Sequence, residues 1–220
     1  YGFPELFPDG FDKIRNAKRI AVPGCHASGF VSIVKPLIDS GVIPKSLCLS
    51  CTSLTGYSGG GNAMIAAYTD TNRPAGLSSP RIYGISQQHK HLREMTYITG
   101  LEISPVFIPI VADFYSGMLV SVSLFSKDLK NGCNIDTLRE IYKAKYSSPI
   151  ISYCESADEN GFIASNSLEN KDSMKITVCG NDDRITVHAL YDNLGKGASG
   201  AAVECLNILL GCSPDYSLVL

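Results

Sequence analysis

Cys25 stands in Val22-Pro23-Gly24-Cys25-His26-Ala27-Ser28-Gly29-Phe30, where a Pro-Gly break hands a thiol to the start of an apolar helical pattern. A cysteine so placed lies over unpaired backbone N–H groups and the positive end of a helix dipole, which favour thiolate over thiol. That is the chemistry of a nucleophile. The plainer reading is a small buried hydrophobe. A second stretch, His89-Lys90-His91-Leu92-Arg93-Glu94, packs two of the four histidines beside a carboxylate. His89 or His91 could move a proton with Glu94 orienting the ring, although a solvated face gives the same pattern. The His-x-His spacing also suits a metal pair, but no further histidine lies nearby in the chain, and no metal site is expected. The third stretch is Gly56-Tyr57-Ser58-Gly59-Gly60-Gly61-Asn62, which opens a helical pattern over Ala63 to Tyr68. Its backbone N–H groups suit a phosphate or a developing oxyanion; a flexible surface loop is the bland alternative. It has neither the Gly-Lys-Ser/Thr ending of a P-loop nor a G-x-G-x-x-G. His26 and His188 read as bystanders, the latter inside a strand pattern.

The elements that must hold these groups follow from periodicity. Phe11 to Ala17 predicts a short helix, and Arg19 to Val22 a buried strand feeding the Cys25 turn. Phe30, Val31, Val34, Leu37 and Ile38 recur at helical spacing up to Ser40-Gly41, with a kink or early stop expected at Pro36. Strands are predicted over Ser46 to Ser53, Ile103 to Pro109 and Met118 to Ser126. Between the last two, Ile110 to Gly117 reads as a loop reaching the site, and Thr71 to Ser79 as a surface loop. Ile135 to Lys145 is amphipathic, with Asn134 or Asp136 at its cap. Lys175 to Gly180 and Arg184 to Tyr191 form a hairpin about Asn181-Asp182-Asp183. In the last stretch, Asp192-Asn193-Leu194-Gly195-Lys196-Gly197 precedes a helix with Ala202, Val203, Leu206, Leu209 and Leu210 on one apolar face. The small residues at its start predict close approach of a backbone or a flat ligand. Antiparallel strands with helices on one face define an α+β domain with a mixed or mainly antiparallel sheet.

With 220 residues, 45% hydrophobic and 18% charged, the chain can bury a core. Nineteen basic and twenty-one acidic residues leave a formal charge of −2, no electrostatic case for nucleic acid or an anionic membrane as partner. No apolar run is long enough to span a bilayer and the first residues are no signal peptide. Eight cysteines in so apolar a chain predict reduced thiols and a cytoplasmic location. Cys48 and Cys51 form a C-x-x-C on a strand pattern, where a three-residue step turns the side chains to opposite faces, so neither a shared metal nor a disulfide is expected.

In order, Pro-Gly-Cys, the glycine-rich loop, His-Lys-His and Asp-Asn-Leu-x-Lys-Gly resemble N-acetyl-gamma-glutamyl-phosphate reductases, and more closely their shorter type. The opening Tyr-Gly-Phe-Pro-Glu-Leu and Phe114-Tyr115-x-Gly117-Met118 are similar too, so the likeness spans nearly the whole chain. It implies a glyceraldehyde-phosphate-dehydrogenase-like catalytic domain that reduces an acyl phosphate with NADPH in the arginine pathway. Cys25 would displace phosphate to form a thioester, hydride from NADPH would give a thiohemiacetal, and collapse would release the semialdehyde. His89 or His91 would handle the proton on the substrate oxygen. Ser28, Ser58, Gly59 and Gly60, with Glu94, would hold the substrate; Asn193 and Gly197 would meet the cofactor. Two positions depart from the family pattern: Asn62 stands where many members carry Arg or Lys, and Arg93 stands for a proline, which either shifts Glu94 or restores the cation.

The resemblance further implies a catalytic and dimerisation domain over 1–192 and a C-terminal helix over 193–220 that packs on a nucleotide-binding half not found in these residues. A homo-oligomer, dimer or tetramer, is expected with it. Three other readings compete: an aspartate-semialdehyde or lysine-pathway reductase, a non-catalytic scaffold of the same fold, and a cysteine hydrolase using Cys25 and His91 without nicotinamide.

Overall fold

The computed structural model describes residues 1–220. Seven strands make one mixed sheet in the order β2-β3-β1-β4-β7-β6-β5. They are β1 (Ser50–Gly56), β2 (Arg81–Ile82), β3 (Val106–Ala112), β4 (Met118–Phe125), β5 (Ile151–Tyr153), β6 (Met174–Gly180) and β7 (Arg184–Tyr191). Only β1–β3 and β5–β6 pair parallel. Register carries one apolar row across the sheet, Phe107, Cys51, Val122, Val187 and Val178, and a second through Ser53, Val120, Ala189 and Ile176. Both rows are buried under helices. The intervening rows, such as Ile108, Thr52, Ser121, His188 and Thr177, point the other way because successive side chains alternate.

The long helix α2 (Cys25–Asp39) lies on the inner face against β4 and β7, flanked by α4 (His91–Thr99) and α5 (Ile135–Lys145). Pro36 does not stop α2, contrary to expectation. Its missing N–H would leave the Ser32 carbonyl without a helical partner, and the Tyr146 hydroxyl donates to that carbonyl at 2.8 Å. Tyr142 donates to the next carbonyl, Ile33, at 2.7 Å. Each such bond is worth about 1 kcal/mol, so α5 repairs the ladder that the proline interrupts. The predicted bounds of α5 hold, and Asn134 closes a reciprocal capping box with Thr137.

Three other expectations are corrected. Residues 19–22 join no strand of the sheet; the Gly2 N–H donates to Ala21, and Ile20 packs against Ile14, Cys205 and Ile208. β3 runs on to Ala112, so only 113–117 turn as a loop, ending at Gly117 with φ +123°. β1 begins at Ser50, leaving Cys48 exposed before the strand while Cys51 is buried within it. At the other end, α6 (Gly200–Leu209) packs Cys205 and Ile208 against Ile14 of α1 (Gly10–Arg15), and leaves Leu206, Leu209 and Leu210 exposed.

Candidate active site

Cys25 is the first residue of α2, with Gly24 as its extended N-cap. Several contacts fix that turn. The Gly24 N–H donates to the Glu94 carboxylate at 3.0 Å, and Glu94 also accepts from the Tyr1 hydroxyl at 2.7 Å. Tyr191, the last residue of β7, donates its hydroxyl to the Cys25 carbonyl at 2.6 Å and accepts from the Gly29 N–H at 3.0 Å. It thereby bridges two groups that an α-helix pairs directly. A Cβ on Gly29 would fall 2.7 Å from that hydroxyl and 2.6 Å from Val120, so only glycine admits the approach.

One cavity of about 500 Å³ opens at this turn. Cys25, His89 and His91 line it together with Ser58, Gly59, Gly60, Asn193 and Gly197. The glycine-rich stretch forms a single 3-10 turn (Tyr57–Gly60) running into α3 (Gly61–Thr69), two residues earlier than the sequence predicts. Asn193 braces it: its amide donates to the Ser58 hydroxyl at 2.9 Å and its carbonyl oxygen accepts from the Gly117 N–H at 2.9 Å. Gly197 sits in a π-helical turn (Gly195–Ser199), where a Cβ would come within 3.3 Å of Cys25 Cβ.

Two expected site residues fall outside the lining. Ser28 is buried and turns its hydroxyl back to the Gly24 carbonyl at 3.3 Å, the usual i−4 bond of a helical serine. Glu94 is occupied by Gly24 and Tyr1 and acts as an anchor of the cysteine turn. Arg93 is exposed away from the cavity and Glu94 keeps its bonds, so the cation on the cavity wall is Lys90.

Sequence reasoning passed over His26, Tyr83, Ser53 and Lys90. His26 is buried beside His89 and His91, with ring centroids 5.7 and 5.6 Å away, and joins Ser53 to Tyr83 through its two nitrogens. The signal was present: a histidine next to the cysteine at a helix start must turn about 100° away from it, toward the sheet.

The electrostatics revise one expectation. Burial pushes the Cys25 thiol up from its ordinary value, and the nearby His26 N–H and Lys90 charge only partly offset that. The thiolate is not preformed, and deprotonation needs a base. Burial, His89 and Lys90 hold His91 down to about 4, and burial with Lys90 also lowers His89, so both rings are neutral at pH 7. The His91 backbone N–H donates to His89 Nδ1 at 3.2 Å, which leaves the proton of a neutral His89 on Nε2. His91 Nδ1 is buried with no partner.

A thiol at a helix start, a pair of imidazoles and a glycine-rich turn share one cavity of a helix-backed mixed sheet, and that sheet has the glyceraldehyde-phosphate-dehydrogenase-like fold of the semialdehyde dehydrogenases. Residues 25–193 match the family model for the semialdehyde dehydrogenase dimerisation domain. The chain belongs to the N-acetyl-gamma-glutamyl-phosphate reductase family: it is 37% identical to the reductase of Sinorhizobium medicae and 36% identical to that of Brucella ovis. Both alignments cover 96% of this chain and 70% of the relative. Among solved structures, aspartate semialdehyde dehydrogenase II from Vibrio cholerae superposes with a TM-score of 0.67 at 18% identity, covering 97% of this chain and 68% of that one. The Francisella tularensis aspartate semialdehyde dehydrogenase gives 0.63 at 12% identity, covering 86% and 64%. At those identities the likeness shows the shared fold.

Proposed function

We propose that this chain carries the cysteine chemistry of N-acetyl-gamma-glutamyl phosphate reduction, with NADPH as reductant, in arginine biosynthesis. The observation that carries the reading is Cys25 sharing one cavity with His89, His91, Lys90 and the Ser58–Gly60 turn. His91 takes the thiol proton, since its neutral ring lines the cavity with Cys25 and its Nε2 is the ring atom nearest the Gly24 turn. The sulfur then attacks the acyl carbon, the carbon–oxygen bond to phosphate breaks, and phosphate leaves with the electron pair. His89, with its proton on Nε2, and Lys90 face the oxygens that carry the negative charge. The Ser58 hydroxyl and the first turn of α3 form the opposite wall, a natural seat for an anion.

The residues toward α6 fit a flat nicotinamide. The bare Cα of Gly197 leaves room beside Cys25, and the Asn193 amide keeps a second N–H beyond the one it donates to Ser58. When bound there, NADPH supplies the hydride that reduces the thioester. The outer face of the sheet, with Leu54, Leu119 and Ile110 in register, supports a homo-oligomer formed face to face. No helix is long and apolar enough to cross a membrane. The eight cysteines, all free thiols, support a cytoplasmic location.

The first half-reaction can be tested without reductant. N-acetyl-gamma-glutamyl phosphate mixed with the chain should release one phosphate per Cys25 in a single turnover, and Cys25→Ser should release none. Equal release by the serine variant, or faster turnover of aspartyl phosphate, would count against this reading.

A further inference from the structure

The reading above assigns the thiol and the two cavity histidines, yet leaves the buried chain Ser53–His26–Tyr83 without a task. Ser53 Oγ lies 2.6 Å from His26 Nδ1, and His26 Nε2 lies 2.5 Å from the Tyr83 hydroxyl. Tyr83 and Cys25 line the same cavity. A neutral imidazole carries one proton, so two arrangements are open: Tyr83 donates to His26, or His26 donates to Tyr83. Ser53 decides between them. It sits on the inner face of β1, wholly buried, and its hydroxyl has His26 Nδ1 as its hydrogen-bond partner and no other. A buried hydroxyl proton left without an acceptor costs about 1–3 kcal/mol. Ser53 therefore donates to Nδ1, the ring proton resides on Nε2, and His26 donates to the Tyr83 oxygen. The Tyr83 hydroxyl proton is then free to point into the cavity.

We propose that Tyr83 is a catalytic hydrogen-bond donor to the acyl oxygen that gains charge when Cys25 attacks, with Ser53 and His26 as positioning residues that lock its polarity. The inference rests on the proposed acyl-transfer function and adds a donor to it. No proton is transferred: the hydroxyl lends a hydrogen bond while the carbon–sulfur bond forms, and withdraws as the phosphate departs. Two features support the arrangement. Burial, followed by the neighbouring histidines and Lys90, holds His26 down to about 3, so the ring stays neutral and a single tautomer persists across the working pH range. Burial, and after it a charge on Cys25, raises the Tyr83 hydroxyl above its ordinary value, which keeps it a protonated donor.

Single-turnover phosphate release and nitrogen-15 imidazole spectra of the 220-residue chain test this together. Tyr83→Phe keeps the ring and should lower the maximal release rate roughly 100-fold, as removal of one oxyanion donor does, with the half-saturating substrate concentration unchanged. Ser53→Ala frees the tautomer and should cost about fivefold, the worth of one modest hydrogen bond, and should add nothing in the Tyr83→Phe background. The spectra of the unmutated chain should show His26 protonated at Nε2, and those of Ser53→Ala a mixture of tautomers. An Nδ1-protonated His26, or full-speed release by Tyr83→Phe while Cys25→Ser is inert, overturns the proposal and leaves the cysteine reading standing. Release that survives Cys25→Ser overturns the cysteine reading itself.

Discussion

Gly24→Ala puts one methyl group between the cysteine turn and His91. An ideal Cβ at residue 24 would lie 2.2 Å from His91 Nε2 and 2.5 Å from its Cδ2. Ordinary van der Waals contact begins near 3.4 Å, so the ring must retreat by about 1.2 Å or the turn must open by as much. Neither is easy. His91 is 7% exposed and packed against two other imidazoles, while the turn is held by Gly24 N–H to Glu94 and by Tyr191. Overpacking of this kind costs roughly 1–3 kcal/mol, which in a chain of this length lowers Tm by about 2–12 °C. A displacement near 1 Å between nucleophile and base can cost on the order of 100-fold in rate. Thermal melting and single-turnover phosphate release should therefore fall together. Gly76→Ala is the control: its Cβ would meet nothing within 4 Å, and both readouts should stay close to those of the unmutated chain. A Gly24→Ala chain that melts and reacts normally would mean that His91 does not rest on residue 24, and the seating of the imidazole over the thiol turn would be wrong.

Two further outcomes concern stability and assembly. Lys196 is buried between Glu5, at 2.8 Å, and Glu204, and burial pushes the Glu204 carboxyl up from 4.5 to about 8 despite that lysine. Between those values the unfolded chain loses a proton that the folded chain keeps, so stability falls as pH rises, by at most about 1.4 kcal/mol per pH unit. Glu204→Gln should lose less Tm than the unmutated chain between pH 5 and pH 8; identical losses would show that Glu204 is ionised throughout. On the outer sheet face, Leu119→Arg places a charge beside Leu54 and Leu190, where a second copy is proposed to dock, and sedimentation should report a smaller species with little change in Tm. An unchanged species would move the contact elsewhere.

Much of the framework was legible because it is encoded locally. The apolar face and asparagine cap of α5, the β6–β7 hairpin and the alternation of β4 each lie within one short stretch of chain, the longest running from Met174 to Tyr191. What escaped depends on partners far away in the chain. Pro36 looks like a stop until Tyr146, 110 residues on, answers the Ser32 carbonyl. Ser28 and Glu94 belong to the right motifs, yet which way a side chain turns at a helix start is set by what the backbone next to it needs, and both serve the Gly24 turn. His26 was passed over because its partners, Ser53 and Tyr83, come from a strand and a loop whose meeting no local pattern announces.

Tyr191 has one more implication. It closes the last strand to be threaded into the sheet, and its hydroxyl is also what spans the first turn of α2 at the thiol. If β7 slipped by a single position against β4, that ring would swing to the opposite side of the sheet and the turn would lose its brace. The Cys25 sulfur thus inherits its placement from the alignment of two strands more than ninety residues further along, and in a nascent or misaligned chain the turn that carries it would stay unbraced until the sheet was complete.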